Sequence, residues 1–338
     1  MRRLMFLAIL VAAGALASRP AAGQSKVGTT VAQFLGIEPS ARNAGLGNAG
    51  VALPDGIEAV YFNVGAIGTI DRPTIQLTHS EWFAEIDFDY AAGALPIGRW
   101  GTLFASLTAL NSGEILVRTV TQPLGTGERY TVGDVALGFG YGRRITRRFA
   151  AGARVNWVHQ RIWHTTLNAA TLDIGTVYRF RENGLTIGSS LSNFGTRGRF
   201  TGRDLAIQYD ANSDIYGDNS TLPAEQFTNR YPMPLLFRVG VSYPFRFKND
   251  TELLLLVDAL HPNDNTESVD VGVECNLQRR LSLRAGWQNL FQEHSEVGLT
   301  LGAGLKGGVA ERSFHVDYGW GSHIHLGDTH RMTLVLEL

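Results

Sequence analysis

Several short runs have spacing that is associated with chemistry. Gly45-Leu46-Gly47-Asn48-Ala49-Gly50 matches G-x-G-x-x-G, whose glycines let a backbone close on a pyrophosphate. That motif works only between a strand and a helix of a βαβ unit, and here β-branched Val51 and Pro54 follow with no β-α alternation. Glycine-rich packing is therefore expected, and the second match, Gly302 to Gly307, falls inside a strand-like segment. Asp210-Ala211-Asn212-Ser213-Asp214 has the oxygen spacing of a calcium loop. Ile215 stands where that loop needs glycine and Thr221 where it needs a bidentate glutamate, so an exposed polar loop is expected. His315, His323, His325 and His330 lie close together without the carboxylate or thiolate spacing of a metal site. Ser80 lies between His79 and Glu81, but strand neighbours point to opposite faces, so no nucleophile meets a base. Catalytic residues, metal and cofactor are all expected to be absent.

The elements that hold these residues are strands. The chain has 338 residues, 39 of them glycine, with 18% charged and 10% aromatic side chains. The charged share is below the usual figure of about 25%. That balance argues for an ordered all-β protein rich in turns. A formal net charge of −1 gives no sign of a nucleic-acid partner.

The first 23 residues read as an export signal, with basic Arg2 and Arg3, an apolar core from Leu4 to Ala17, and small residues before Gln24. Cys275 is the single cysteine, so no intramolecular disulfide forms and no lipid anchor is expected at the cleavage site. No later run is long and apolar enough for a spanning helix.

From Pro73 onward the chain alternates apolar and polar residues in segments of about ten, as lipid-facing barrel strands do. Leu172, Ile174, Tyr178 and Phe180 alternate with Thr171, Asp173 and Arg179; Val269, Val271, Val273 and Cys275 alternate with Asp270 and Glu274. Trp82, Trp100, Tyr141, Trp157, Trp163, Trp287, Tyr318 and Trp320 fall near segment ends, as an interfacial girdle would. The pattern predicts an all-β transmembrane barrel of the bacterial outer membrane with about 14 antiparallel strands over residues 73–338. Short turns are expected at one rim and longer loops, Gly195 to Met233 above all, at the other, with both chain ends on the periplasmic side.

Residues 24–72 precede the wall. A barrel this wide has room inside, and Ala41, Gly45, Gly47 and Ala49 suit a compact hatch packed within it. Arg42 is expected to pair with lumen acids, and Asn63 to cap or turn the segment end. The apolar run Leu253 to Val257 has one face too many for lipid alone, and that face packs on the hatch or around a greasy ligand.

The run Ala41 to Ala52 (ARNAGLGNAGVA) resembles the N-terminal motif of the PorV/PorQ family of outer-membrane proteins. Glu58 to Ile67 (EAVYFNVGAI), His79 to Trp82, Trp100 to Leu103 and Gly327 to Arg331 resemble it too, so the likeness extends from about Phe34 to Leu338. Val64 stands where that family carries proline, which predicts a looser turn after Asn63.

The resemblance implies a fourteen-stranded FadL-like barrel with an N-terminal hatch that includes Asn63 and Gly65. It also implies a role in type IX secretion, receiving exported proteins by their C-terminal domains. Trp82, Phe83, Arg203, Asp210 and Tyr216 are the candidate contacts to such partners. The alternative expectation is a FadL-like channel for hydrophobic small molecules such as fatty acids and hydrocarbons, with a lipid-like ligand in the lumen and outer-membrane lipid around the wall. A purely structural barrel or narrow porin is a third.

Overall fold

Outward-facing side chains on the wall are mostly apolar and many inward-facing ones are polar, unlike a water-soluble sheet protein. On one strand, Leu172, Ile174 and Tyr178 are exposed while Thr171 and Asp173 are buried. Mid-strand Arg154, Glu274 and Arg284 are likewise buried. Such a pattern closes a sheet around a polar interior and presents leucine, isoleucine and aromatics to hydrocarbon.

The computed structural model describes residues 26–180, 184–210, 214, 221–292, 295–309 and 312–338. The export signal expected over the first 23 residues lies outside them. The wall starts with β1 (Thr74–Glu81), β2 (Asp87–Pro96), β3 (Thr102–Leu116), β4 (Arg129–Arg144), β5 (Phe149–Ile162), β6 (Thr165–Arg179) and β7 (Thr186–Gly195). A long loop follows, with a two-residue strand β8 (Thr201–Gly202) and a hairpin of β9 (Ala206–Tyr209) and β10 (Leu222–Glu225). The wall resumes with β11 (Leu236–Arg246), β12 (Glu252–Pro262), β13 (Ser268–Leu277), β14 (Leu281–Leu290), β15 (Val297–Val309), β16 (Arg312–His323) and β17 (Gly327–Glu337). Every wall strand is antiparallel to its neighbours, and β17 returns to β1 from Glu337↔Thr74 to His330↔Glu81. β1–β7 with β11–β17 therefore close a fourteen-stranded barrel, and no backbone edge faces lipid. This is an all-β outer-membrane barrel fold, as the alternation predicted.

The rim that holds the chain's end has tight connections. At Asn249-Asp250 and Gln278-Arg279, consecutive residues take positive φ, the twist that hairpin turns require. The other rim carries the long loop of residues 196–235. Its loops are not uniformly long: β5 joins β6 through Trp163-His164 alone, and β16 joins β17 through Ile324–Leu326. Thr165 and Leu167 continue the inward row, and Leu167 is buried against Phe34, Val158 and Met233.

Before the wall, residues 33–69 fold into short helical turns inside the barrel: Gln33–Gly36, Ala41–Ala44, Ile57–Ala59 and Val64–Thr69. Leu46, Leu53, Ile57, Val60 and Ile67 are buried against wall residues Phe88, Phe104, Leu254 and Leu256. Burial of each such side chain contributes about 1.5–3 kcal/mol relative to exposure. The second apolar face of β12 therefore packs on this segment. Asn63 caps the Val64–Thr69 turn: its Oδ1 accepts from Gly65 N at 2.9 Å, and its Nδ2 donates to Val51 O and Thr176 O, each at 2.9 Å. The turn after Asn63 is thus tied on three sides rather than loosened by Val64.

One expectation is corrected. The described N-terminal segment, from residue 26, does not share a rim with Leu338. Thr30 Oγ1 donates to Asp264 Oδ2 at 2.5 Å and Gln33 Nε2 donates to the same oxygen at 2.7 Å, while Val31 N donates to Pro232 O at 3.1 Å. Asp264 and Pro232 lie in loops of the rim opposite Leu338, so the N-terminal strap enters the lumen from the outer mouth. Strand alternation carries no information about a segment that forms no strand. Asp264→Ala should release the strap by about 1 kcal/mol, the worth of a part-exposed hydrogen-bonded carboxylate. Hydrogen exchange at Val31 and Ala32 should then quicken about fivefold, with wall amides unchanged.

Candidate functional site: the plugged lumen

The inner half of the lumen is closed by backbone seated on backbone. Gly47 has φ +62°, and a Cβ there would lie 2.5 Å from Trp287 N. Its own N–H donates to Thr300 Oγ1 at 2.9 Å. On the wall, a Cβ on Gly188 would lie 2.1 Å from Val51 O. Side chains then fix the seat: Ala41 N donates to Thr333 Oγ1 at 2.9 Å, Val51 N to Asp258 Oδ2 at 2.8 Å, and Ser242 Oγ to Ala52 O at 2.6 Å.

An ionic latch joins hatch and wall. Arg42 grips Glu274 of β13 with both sides of its fork, Nε to Oε2 at 2.9 Å and Nη2 to Oε1 at 2.8 Å. Arg284 of β14 donates to the same Glu274 Oε2 at 2.6 Å and to Asp317 Oδ1 of β16 at 2.5 Å. The latch forms one wall of a charged vestibule of about 450 Å3 at the inner mouth, which Lys306 and His315 also line.

Above the hatch lies an amphipathic cavity of about 230 Å3. Tyr61, Phe62, Trp82, Leu236 and Leu260 supply its apolar surface; Glu38, Arg238, Asp270, Gln288 and Arg331 supply the polar one. Arg331 is 3% exposed and pairs with Glu38 through Nη1 at 2.6 Å. Its Nε and Nη2, the side of the guanidinium that takes a carboxylate bidentately, have no protein partner. Trp82 lies over this guanidinium, with the ring centroid 5.0 Å from Cζ. Arg238 borders a narrower adjoining space with Phe34, Leu35 and Ile37.

The structure gathers the hatch residues singled out in the sequence. Ala41 and Ala49 are fully buried, Gly45 lies against Gly302, and Gly65 against Gly175 and Thr176. The loop residues are not gathered. Trp82 turns into the lumen with Phe83 packed on His323, ring centroids 4.5 Å apart, because the β1–β2 turn folds inward. Arg203 lies on another part of the rim, against His164 of the β5–β6 turn. Asp210 follows β9 in the long loop, and Tyr216 lies outside the described residues, as does part of the Asp210–Asp214 run.

The histidines also separate. His315 and His323 face inward at opposite ends of β16, His330 faces outward against the Tyr318 hydroxyl at 2.7 Å, and His325 meets Glu296 between loops at 3.0 Å. That last hydrogen bond holds the Glu296 carboxyl below its usual range. No metal-holding cluster occurs among the described residues. The residues that sequence reasoning missed are Glu38, Arg238 and Arg331. Arg238 and Arg331 carried a signal as arginines on inward strand positions, whereas Glu38, in the segment before the wall, carried none.

No protein-family model and no curated protein sequence matches the chain. Solved structures do. A FadL homologue of Pseudomonas aeruginosa matches with TM-score 0.54 and 11% identity, over 88% of this chain and 97% of that one. The toluene transporter TbuX of Ralstonia pickettii matches with TM-score 0.53 and 11% identity, over 89% and 97%. The toluene transporter TodX of Pseudomonas putida gives 0.53 and 11%, over 89% and 97%. At this identity the likeness is one of fold, so the chain has a FadL-like outer-membrane barrel fold.

Proposed function

We propose that the protein is a hatch-gated conduit for hydrophobic small molecules that carry an acidic head. The observation that carries this reading is the unpartnered Nε/Nη2 side of buried Arg331 in a cavity otherwise rich in aromatic and aliphatic surface. A buried guanidinium with a free fork loses hydration without replacement, and a ligand carboxylate restores it with two charge-assisted hydrogen bonds. Tyr61, Phe62, Trp82 and Leu236 offer the apolar body its surface. Passage requires the hatch to shift, because its backbone is seated on the inner wall.

The transporter folds that resemble this barrel support the conduit over the exported-protein role in type IX secretion that the sequence motif implies. The candidate contacts for exported proteins lend that role little, since Trp82 and Phe83 turn inward and Arg203 lies elsewhere on the rim.

The test is binding of dodecanoate to the purified barrel, read by quenching of tryptophan fluorescence. Wild-type protein should bind it and Arg331→Gln should weaken binding about 10- to 100-fold, the worth of a charge-assisted pair. Dodecane should bind both forms equally. Equal dodecanoate affinity in the two forms would overturn the reading. A barrel that binds no dodecanoate and co-purifies with an exported protein would restore the shuttle.

A further inference from the structure

The outer wall carries a hollow that the conduit does not use. Outward positions Ala91 on β2 and Ala109 on β3 are small, and Leu77, Leu107, Met332 and Leu334 stand around them. Together they leave an open, mainly apolar groove of about 400 Å3. It interrupts the leucine and aromatic belt that faces lipid, so hydrocarbon is what reaches it.

The groove does not lead inside. β1 and β2 pair without a register shift from Thr74↔Ala94 to Glu81↔Asp87, and β2 and β3 from Asp87↔Asn111 to Pro96↔Thr102. Whatever fills it stays on the outside of the wall.

Its outer end is polar and acidic. His79 Nδ1 meets Asp89 Oδ1 at 2.8 Å, with both side chains more than half exposed. One step closer to the rim, Glu81 and Asp87 stand directly opposite each other, both facing out. Like charges at such a cross-strand position are unfavourable. His79 on the adjoining row serves Asp89, and His330, opposite Glu81 on β17, is engaged by the Tyr318 hydroxyl at 2.7 Å, so a cation from outside the chain is the natural partner of the other two.

We infer that the groove holds an acyl chain of an ammonium-bearing phospholipid, with the ammonium against Glu81 and Asp87. An alkyl chain follows a narrow apolar groove without leaving voids, and the acids select the head by charge.

Native mass spectrometry from vesicles of equal phosphatidylethanolamine and phosphatidylglycerol tests this. Wild-type barrel should retain the ethanolamine lipid about tenfold over the glycerol lipid. Glu81→Gln with Asp87→Asn should erase that preference, and Ala91→Phe with Ala109→Phe should remove the lipid. Wild-type protein in bilayers of ethanolamine lipid with a diazirine in its acyl chain gives a measure independent of any variant's folding. Labels should concentrate on Leu77, Leu107 and Met332. Even labelling around the belt, or equal retention of both lipids by wild type, overturns the inference.

Discussion

Glu274→Gln should open the lumen while leaving the barrel folded. Glu274 is 1% exposed and accepts from two arginines, Arg42 on the hatch and Arg284 on the wall. A neutral amide leaves both guanidiniums without their shared anion, and loss of one partner from a buried ion pair costs about 3–5 kcal/mol. The cost falls unequally. Arg284 keeps Asp317 at 2.5 Å, whereas Arg42 keeps only exposed Asp55 at 3.7 Å. Arg42 therefore regains solvation by leaving the wall, and the hatch moves with it. Proteoliposomes of the variant should swell in sugars that wild type excludes, while heat-modifiable migration of the barrel persists. Arg42→Gln should act in the same direction with a smaller stability loss, because Glu274 then still has Arg284. If Glu274→Gln liposomes stay as tight as wild type, the latch does not hold the hatch.

The fold was legible because barrel strands repeat one rule fourteen times. Leu172, Ile174 and Tyr178 on one side and Thr171 and Asp173 on the other mark the strand, and aromatics near segment ends pointed to lipid on the apolar side. Strand ends were less legible. Thr165 and Leu167 look like loop residues until Leu167 is seen to pack on the N-terminal strap. The hatch was legible as a composition of small residues, and the partnership of Arg42 with a lumen acid followed from its charge. Which acid, and why Arg331 keeps an open side, was not legible. Those facts depend on which wall strand faces which hatch turn, across some 230 residues between Arg42 and Glu274 in the chain. The loop contacts failed for a related reason. A short turn such as Trp82–Ile86 can fold in or out, and local sequence does not say which.

A steric change should open the lumen by a different route, and Gly188→Val is the clearest case. Gly188 lies on β7 with its Cα toward the hatch, and its added Cβ would meet Val51 O at 2.1 Å and Val51 C at 2.7 Å. Ordinary overpacking costs about 1–3 kcal/mol because side chains can shift. Here the obstacle is backbone. Val51 is held by Asp258 through its N–H and by Asn63 through its carbonyl, so it cannot move alone. The hatch must lift from β7, or the variant must fold without it seated. The wall itself suffers less: Gly188 pairs with Gly240 on β11, and β-branched valine suits a strand. Swelling should therefore match that of Glu274→Gln at low salt. Raising salt should leave Gly188→Val swelling unchanged, because a clash is not screened, and wild type closed, because an ion pair as buried as Arg42–Glu274 is screened only weakly. A Gly188→Val barrel that excludes sugars as wild type does would mean that the hatch does not rest on β7 in the membrane.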